Sequence, residues 1–432
     1  MNILLENATV IPMTGGEPRY FKATVAIRDR HIAMVSQAED AAEKFLRICP
    51  DARRIDCTGK VVMPGLVNTH CHAAMTLQRS SADDIALMEW LNDYIWPFEA
   101  RQTADDIELG ARLGAVEMLL GGVTSFVDMY WHESSVFNAV RDTGIRAMLT
   151  ASCLDANIGA CRRDVEELTA KAAGSTRITA GVSPHAAYSC SPATLLEARR
   201  LCDRYGLRMT SHLSETTDEI RMVAERYGCS PVEHFDSLGI LDGLLAAHCI
   251  YVSDKDIELM ARRGMSVAHN PSSNMKISSG TAPVDKMLKA GIRCTIGTDG
   301  PCSNNDLDMW EEMRNASFLQ KVSTGNPLAV PAYEILKMAT VSGAEAMGYG
   351  GQLGIIAEGA IADVITIDIF KPHIYPIYDL ISNLVYCAKA SDVETVIVDG
   401  EIVVEQRRMA GIDVGELCMQ VQDAARRLSR TE

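Results

Sequence analysis

The sequence has few of the features that mark secreted, membrane or nucleic-acid-binding proteins. Basic residues are scarce, with 41 Lys and Arg against 57 Asp and Glu, and the formal net charge is −16. Such a surface repels a phosphate backbone, which speaks against a primary role in nucleic-acid binding. No apolar run approaches the roughly 18 residues that a membrane helix needs. Residues 1–12 lack a basic leader, so we expect no secretory signal and no membrane partner.

Clustered cysteines are also lacking. The 13 cysteines are scattered, and no two have the Cys-x-x-Cys spacing of a zinc finger. An odd number leaves at least one thiol unpaired, which suits a reducing compartment. We therefore expect a soluble, cytoplasmic protein in which cysteines such as Cys153 are small core residues. A phosphate-binding loop of the Walker type is absent as well.

Hydrophobic periodicity divides the chain into three parts. Residues 1–62 form short alternating β segments, too few for a closed domain. Residues 63–350 alternate short apolar strands with helical patterns, and residues 351–432 return to β segments before a terminal helix. The sequence therefore predicts an α/β fold, a (β/α)8 TIM-type barrel with a small β-sandwich domain built from both chain ends. The predicted barrel strands are 62–69, 123–128, 146–151, 177–182, 207–211, 244–247, 265–268 and 293–298.

Histidines are rare but informatively placed. Of only ten, six fall at or just beyond the C-terminal end of a predicted strand. In a barrel these ends open on one face, so residues far apart in the chain meet around one cavity. His70 and His72 end the first strand and point the same way, His212 ends the fifth, and Asp299 follows the eighth. Three imidazoles and a buried carboxylate form a mixed nitrogen and oxygen shell that suits zinc or another first-row metal.

Each of these residues also has an ordinary structural explanation. An isolated His-x-His pair arises by chance or on a surface, and a lone histidine such as His212 more often forms a structural hydrogen bond. Asp299 on its own suits a turn or a helix cap. Only the combination, on strands that share one face, predicts a metal centre.

The sequence resembles the amidohydrolase superfamily and, within it, the methylthioadenosine and S-adenosylhomocysteine deaminase group. The resemblance covers nearly the whole chain, and its segments occur in the family's order. These segments are 64–77 (PGLVNTHCHAAMTL), 89–91 (EWL), 96–99 (WPFE), 183–185 (SPH), 211–215 (SHLSE), 247–249 (AHC), 269–274 (HNPSSN) and 297–300 (GTDG).

The resemblance implies an enzyme that hydrolytically deaminates the adenine amine of 5′-substituted adenosines with a metal-activated water. Substrates of this class are methylthioadenosine, 5′-deoxyadenosine, adenosine and S-adenosylhomocysteine. His70, His72, His212 and Asp299 then hold one divalent ion, in the first place Zn2+, with Fe2+, Mn2+ or Ni2+ as alternatives. One ion is expected because residues 177–188 contain no lysine to bridge two. The resemblance also implies a homo-oligomer.

Catalytic roles follow from the same resemblance. Asp299 takes the proton of the attacking water, and His248 orients the hydroxide. Glu215 protonates the ring nitrogen and then helps to carry a proton to the departing amine. Two alternatives stay open, namely that Glu215 is a solvent-facing acid in the first turn of a helix and that His248 is a buried structural residue.

Recognition of the substrate involves further residues. Glu99 falls where the family holds the ribose hydroxyls, and His185 resembles its contact to the nucleoside. Relatives that accept S-adenosylhomocysteine have an arginine at the end of strand three, where this chain has residues 151–152 (AS). Arg163, or the neighbouring Arg162, is the candidate for binding an amino-acid carboxylate instead. The departure favours neutral 5′-substituted adenosines.

Two other functions remain as alternatives. An amidohydrolase of this fold could act on another N-heterocycle such as guanine, a pterin or a triazine, although Glu99 argues against a free base, which has no diol. A catalytically silent metal-binding protein would have lost Glu215, His248 or Asp299, and all three are present.

Overall fold

The computed structural model describes residues 1–85 and 89–429. Its strands fall into three groups along the chain. The first group is β1 (Asn2–Val10), β2 (Phe21–Arg28), β3 (His31–Ser36), β4 (Arg53–Asp56) and β5 (Lys60–Pro64). The second is β6 (Leu66–Cys71), β7 (Val123–Tyr130), β8 (Arg146–Cys153), β9 (Ile178–Pro184), β10 (Arg208–Leu213), β11 (Leu245–His248), β12 (Ser266–His269) and β13 (Arg293–Ile296). The third is β14 (Val364–Asp368), β15 (Val393–Val398), β16 (Glu401–Glu405) and β17 (Arg408–Met409).

A mixed sheet of nine strands unites the two ends of the chain. Its order is β17-β16-β15-β14-β5-β1-β2-β3, with β4 paired to β1. The joint lies between β5 and β14, which pair antiparallel with Val62 opposite Thr366. Neither end has enough strands to bury both faces alone, and this pairing explains why each end of the sequence looks incomplete. The small β domain expected from both ends is confirmed.

The eight strands β6 to β13 form the barrel, and neighbours in sequence are neighbours in the sheet. β6 and β13 meet through a parallel bridge between Cys71 and Asp299, and the Asp299 N–H donates to the His70 carbonyl at 3.0 Å. The predicted (β/α)8 fold is confirmed, and its seam joins two of the predicted metal ligands.

One predicted strand is divided. The sequence suggested a single strand over residues 62–69, but β5 ends at Pro64 in the small sheet and β6 starts at Leu66 in the barrel. Gly65 makes the transition, where a Cβ atom would lie 2.1 Å from the Thr124 side chain. Only glycine permits this close approach of the two strands.

Helices cover the outside of the barrel and follow its strands. Several begin with a side-chain cap, as Ala104–Leu120 does with Thr103 and Asp106. The α-helices are Ala41–Ile48, Trp96–Glu99, Ala104–Leu120, Glu133–Thr143, Ile158–Ala172, Pro192–Tyr205, Thr217–Tyr227, Pro231–Ser237, Asp254–Arg262, Pro271–Lys276, Val284–Lys289, Met309–Thr324, Ala332–Met338, Val341–Ala346, Leu380–Tyr386 and Val414–Ser429. Within the described residues, no helix combines the length and the apolar character that crossing a membrane requires.

Two of the 13 cysteines are paired, in contrast to the expectation that they are simple core residues. Cys153 at the end of β8 forms a disulfide with Cys161, and the other eleven are free. The sequence separation of eight residues gave no signal for this pairing.

Candidate active site

Four side chains from three barrel strands converge at the C-terminal end of the barrel. The metal-ligating atoms of His70, His72, His212 and Asp299 all lie within 4.8 Å of one another. Asp299 Oδ1 is 3.4 Å from His70 Nε2 and 3.2 Å from His72 Nε2, and the Nε2 atoms of His72 and His212 are 3.4 Å apart. The structure thus brings together the complete set of predicted ligands.

These four residues fit a tetrahedral metal ion. Ligand atoms about 2.0 to 2.1 Å from a zinc ion stand about 3.3 Å from each other, close to the separations above. Both ring nitrogens of His70 are buried without a hydrogen-bond partner among the described residues. A fully buried imidazole without any partner is costly, and coordination of a cation removes that cost. Burial lowers the pKa of His70 to about 4. Burial also opposes protonation of His72, but the Asp299 carboxylate raises the pKa of His72 to about 9, so His72 must release a proton to bind an ion.

Backbone carbonyls orient two of the imidazoles. His72 Nδ1 lies 2.6 Å from the Met129 carbonyl, and His212 Nδ1 lies 3.0 Å from the His185 carbonyl. Each carbonyl can accept only from a protonated Nδ1, which leaves Nε2 with its lone pair for the ion. The second oxygen of Asp299 accepts from Ser273 Oγ at 2.6 Å.

The strand ends that carry the site have an uncommon backbone. Ser214, His248, Cys249 and Asp299 all have positive φ angles, of 53°, 71°, 48° and 61°. Residues other than glycine avoid this region, and such strain persists where the surroundings hold it in place, often at functional sites. The turns redirect the chain so that the side chains enter the cavity.

Glu215 and His248 face each other beside the ligands. His248 Nε2 lies 3.9 Å from Glu215 Oε2 and 4.0 Å from Asp299 Oδ2. Burial raises the pKa of Glu215. For His248, burial opposes protonation, but the carboxylates of Glu215 and Asp299 raise its pKa. His248 Nδ1 is fixed by Asn274 Oδ1 at 2.9 Å. A buried acid beside a buried imidazole can hold and pass protons near neutral pH.

A cleft opens in front of these residues. Glu99, Tyr130 and His185 line it together with three of the ligands, His72, His212 and Asp299. The Tyr130 hydroxyl donates to Glu99 Oε1 at 2.8 Å, and burial raises the pKa of Glu99 to about 7. His185 Nδ1 contacts Ser189 Oγ at 2.8 Å, which leaves its Nε2 free to meet a ligand.

Part of the cleft is apolar. Leu91, Ile95, Trp96, Trp131 and Ile277 line it, and no Lys or Arg stands among the described lining residues. Ser152, near the end of β8, lines the cleft. It is one of the two residues, 151–152, that this chain has in place of the arginine expected for S-adenosylhomocysteine. Arg163, the candidate for an amino-acid carboxylate, is exposed on the helix Ile158–Ala172 and does not line the cleft.

Sequence reasoning missed three supporting residues. Tyr130 is the last residue of β7, and the sequence alone assigned it no role. Ser273 and Asn274, which hold Asp299 and His248, lie in the segment 269–274 that the resemblance included without a role. His269 in the same segment is fully buried, and its ring nitrogens have no hydrogen-bond partner among the described residues.

Comparison with known proteins places this geometry in a family. The model of the amidohydrolase family matches residues 61–403, which include the four candidate ligands, Glu215 and His248. The chain belongs to the amidohydrolase family. The predicted resemblance is confirmed.

This amidohydrolase has full-length relatives. It is 42% identical over 436 residues to a 5-methylthioadenosine/S-adenosylhomocysteine deaminase of Pelotomaculum thermopropionicum, with 100% of both chains covered. A solved adenosine deaminase from Xanthomonas campestris with bound zinc is 31% identical, with a TM-score of 0.95 over 99% of this chain and 98% of that one. An atrazine chlorohydrolase from Arthrobacter aurescens, 22% identical with a TM-score of 0.89, covers 98% of this chain and 100% of its own and shares the fold.

Proposed function

We propose that this amidohydrolase deaminates 5′-substituted adenosines to the corresponding inosines and ammonia. The observation that carries the proposal is the convergence of Glu215, His248 and Asp299 within about 4 Å at the edge of a four-residue metal centre. The names of the full-length relatives support the same activity.

The reaction needs a nucleophilic water and two proton transfers. His70, His72, His212 and Asp299 would hold a divalent ion, which would supply the Lewis acidity that makes a water nucleophilic near pH 7. Asp299 accepts the proton of that water, and His248 donates a hydrogen bond that orients it. Glu215, whose raised pKa keeps a proton available, protonates the ring nitrogen. The proton that Asp299 took from the water then passes, with the help of Glu215, to the amine, which leaves as ammonia. Glu215 recovers its proton from the new hydroxyl as the carbonyl forms.

Glu99 and His185 are proposed to hold the nucleoside. The oxygens of Glu99 suit a vicinal diol, and Tyr130 occupies Oε1, which fixes the orientation of the carboxylate. The apolar part of the cleft suits a neutral 5′ substituent. An amino-acid tail finds no cation among the described lining residues, so we propose methylthioadenosine, 5′-deoxyadenosine and adenosine as better substrates than S-adenosylhomocysteine.

The test is an ammonia-release assay on purified protein of known metal content. The panel contains adenosine, methylthioadenosine, 5′-deoxyadenosine, S-adenosylhomocysteine, guanine and cytosine. We expect turnover of the neutral nucleosides, a lower kcat/KM for S-adenosylhomocysteine and none for the free bases. If protein with one equivalent of bound metal deaminates none of the adenosines, the proposed substrate class is wrong, and another N-heterocycle is the substrate.

Zinc is the proposed ion, supported by the zinc in the Xanthomonas structure and by the nitrogen-rich ligand set. Iron, manganese and nickel accept the same ligands, so metal analysis of protein from unsupplemented cells is the deciding measurement. A cytoplasmic homo-oligomer stays a prediction of the sequence, and light scattering of the purified protein would give its subunit number.

A further inference from the structure

Glu219 makes an uncommon contact next to the proposed acid. It is the third residue of the helix Thr217–Tyr227, which follows β10, and only 1% of it is exposed. Its Oε2 accepts from the backbone N–H of Glu215 at 2.8 Å. The carboxylate thus holds the backbone of the segment that carries Glu215.

Acids at the equivalent position of neighbouring helices behave differently. Asp256, in the helix after β11, accepts from the N–H of its own N-cap residue, Ser253, at 2.9 Å. Glu233 does the same with Ser230 at 3.0 Å. That reciprocal arrangement is the capping box. Glu219 instead reaches past its N-cap residue Thr216, although Thr216 caps the helix with its own hydroxyl. Capping therefore does not explain where Glu219 binds.

The segment that Glu219 contacts has a strained backbone, and hydrogen bonds from the chain after β11 also hold it in place. Ser214 has a φ of 53°. Its carbonyl accepts from the N–H groups of Ile250 and Tyr251, both at 2.9 Å, just beyond His248. Glu219 and the chain after β11 thus clamp one turn between them. The separation of 3.9 Å between Glu215 and His248 depends on this turn.

We propose that Glu219 is a positioning residue that fixes the Ser214–Glu215 turn and so aims the Glu215 carboxyl at the reacting atoms. The proposal rests on the proposed function, in which Glu215 is the acid. A misplacement of about 1 Å at a reacting group can cost about 100-fold in rate. Loss of the clamp therefore lowers kcat, whereas binding of the nucleoside at Glu99 and His185 is unaffected.

The test compares Glu219→Ala, Glu219→Gln and the matched control Asp256→Ala. Asp256 is also a buried acid at the third position of a barrel helix, with 4% of its surface exposed. We expect Glu219→Ala to lower kcat about 10- to 100-fold with KM within about twofold and unchanged metal content. Glu219→Gln retains an amide oxygen that accepts the Glu215 N–H, and it should recover most of the kcat. Asp256→Ala should lower the Tm and leave kcat unchanged.

Hydrogen exchange provides a readout that needs no substrate. The amide of Glu215 should exchange at least about tenfold faster in Glu219→Ala than in the wild type, because this variant removes the oxygen that accepts the amide proton. In Asp256→Ala, where that oxygen is present, the exchange rate should be unchanged. Unchanged kcat in Glu219→Ala, or an equal loss of kcat in Asp256→Ala, would overturn the proposal. If the wild-type protein deaminates no adenosine but the exchange rates differ as expected, the proposed function fails while the clamp stands.

Discussion

Two clusters of buried charge lie at opposite ends of the barrel, and they differ in whether their polar atoms have partners. At the N-terminal end, the Arg146 guanidinium donates to both oxygens of Asp363 at 2.9 and 3.0 Å, to Asp399 at 3.1 Å and to the Thr176 carbonyl at 2.6 Å. At the C-terminal end, both ring nitrogens of His70 have no hydrogen-bond partner among the described residues.

The difference distinguishes a cluster that stabilises the fold from a cluster that is available for chemistry. Asp363 precedes β14 and Asp399 follows β15, so the satisfied cluster fastens the small sheet to β8 of the barrel. Both of its aspartates pair with a cation that is itself fully buried. In the other cluster, the ring nitrogens of His70 remain available for a ligand that the chain itself does not provide. In this comparison the buried group without a hydrogen-bond partner, His70, is the one that lies at the candidate metal centre.

The largest expected effect sharpens this contrast through two buried aspartates. Asp299→Asn removes a metal ligand and the proposed base, so we expect kcat/KM for methylthioadenosine to fall about 10³- to 10⁴-fold, with less bound metal. Asp363→Asn, the control, should leave kcat/KM within about twofold and lower the unfolding free energy instead. Steady-state ammonia release, metal analysis and urea unfolding measure all three quantities. Comparable losses of kcat/KM in both variants would contradict the assignment of one cluster to the reaction and the other to stability.

The second prediction concerns stability. Arg146→Met leaves Asp363 buried without its guanidinium partner, whereas Asp399 keeps Arg30 at 2.9 Å. Removal of one partner of a buried pair costs about 3 to 5 kcal/mol. Arg112, which pairs with Glu108 and Asp142 and is about a third exposed, is the control. Arg112→Met should cost less than about 1 kcal/mol. Urea unfolding gives both values, and an equal cost would show that the buried cluster is not a structural joint.

The two clusters also differ in how far the sequence could predict them. The metal ligands end apolar strands, two of them spaced as alternate residues, so strand geometry alone brought them together. Arg146 is separated from Asp363 by 217 residues and from Asp399 by 253, and no local pattern connects them. The division at Gly65 depends on a side chain of the neighbouring strand, Thr124, which periodicity cannot reveal.

A smaller effect is expected at Glu99. Glu99→Gln replaces a charged acceptor by a neutral amide, so KM for methylthioadenosine should rise about 10-fold, the scale of one charge-assisted hydrogen bond. Tyr130→Phe, which removes the hydroxyl that contacts Glu99 Oε1 and Gln102 Oε1 but keeps the carboxylate, should raise KM less. Any turnover of a free purine should be unaffected in both variants. Equal effects on nucleosides and free purines would contradict the assignment of Glu99 to the ribose.

The smallest expected effect is the pH dependence of that contact. Burial raises the pKa of Glu99 to about 7, and the hydrogen bond from Tyr130 only partly offsets it. The carboxylate form, which accepts from both ribose hydroxyls, therefore prevails above pH 7 and is lost as the pH falls through 7. We expect 1/KM for methylthioadenosine to fall a few-fold, about three- to fivefold, between pH 8 and pH 6. Glu215 and His248 also titrate, but both residues are present in the wild-type protein and in Glu99→Gln. The ratio of 1/KM in the wild type to 1/KM in the variant therefore reports the titration of Glu99 alone. A ratio that stays constant over this range would show that Glu99 does not titrate there, and the affinity for the diol would then depend on geometry alone.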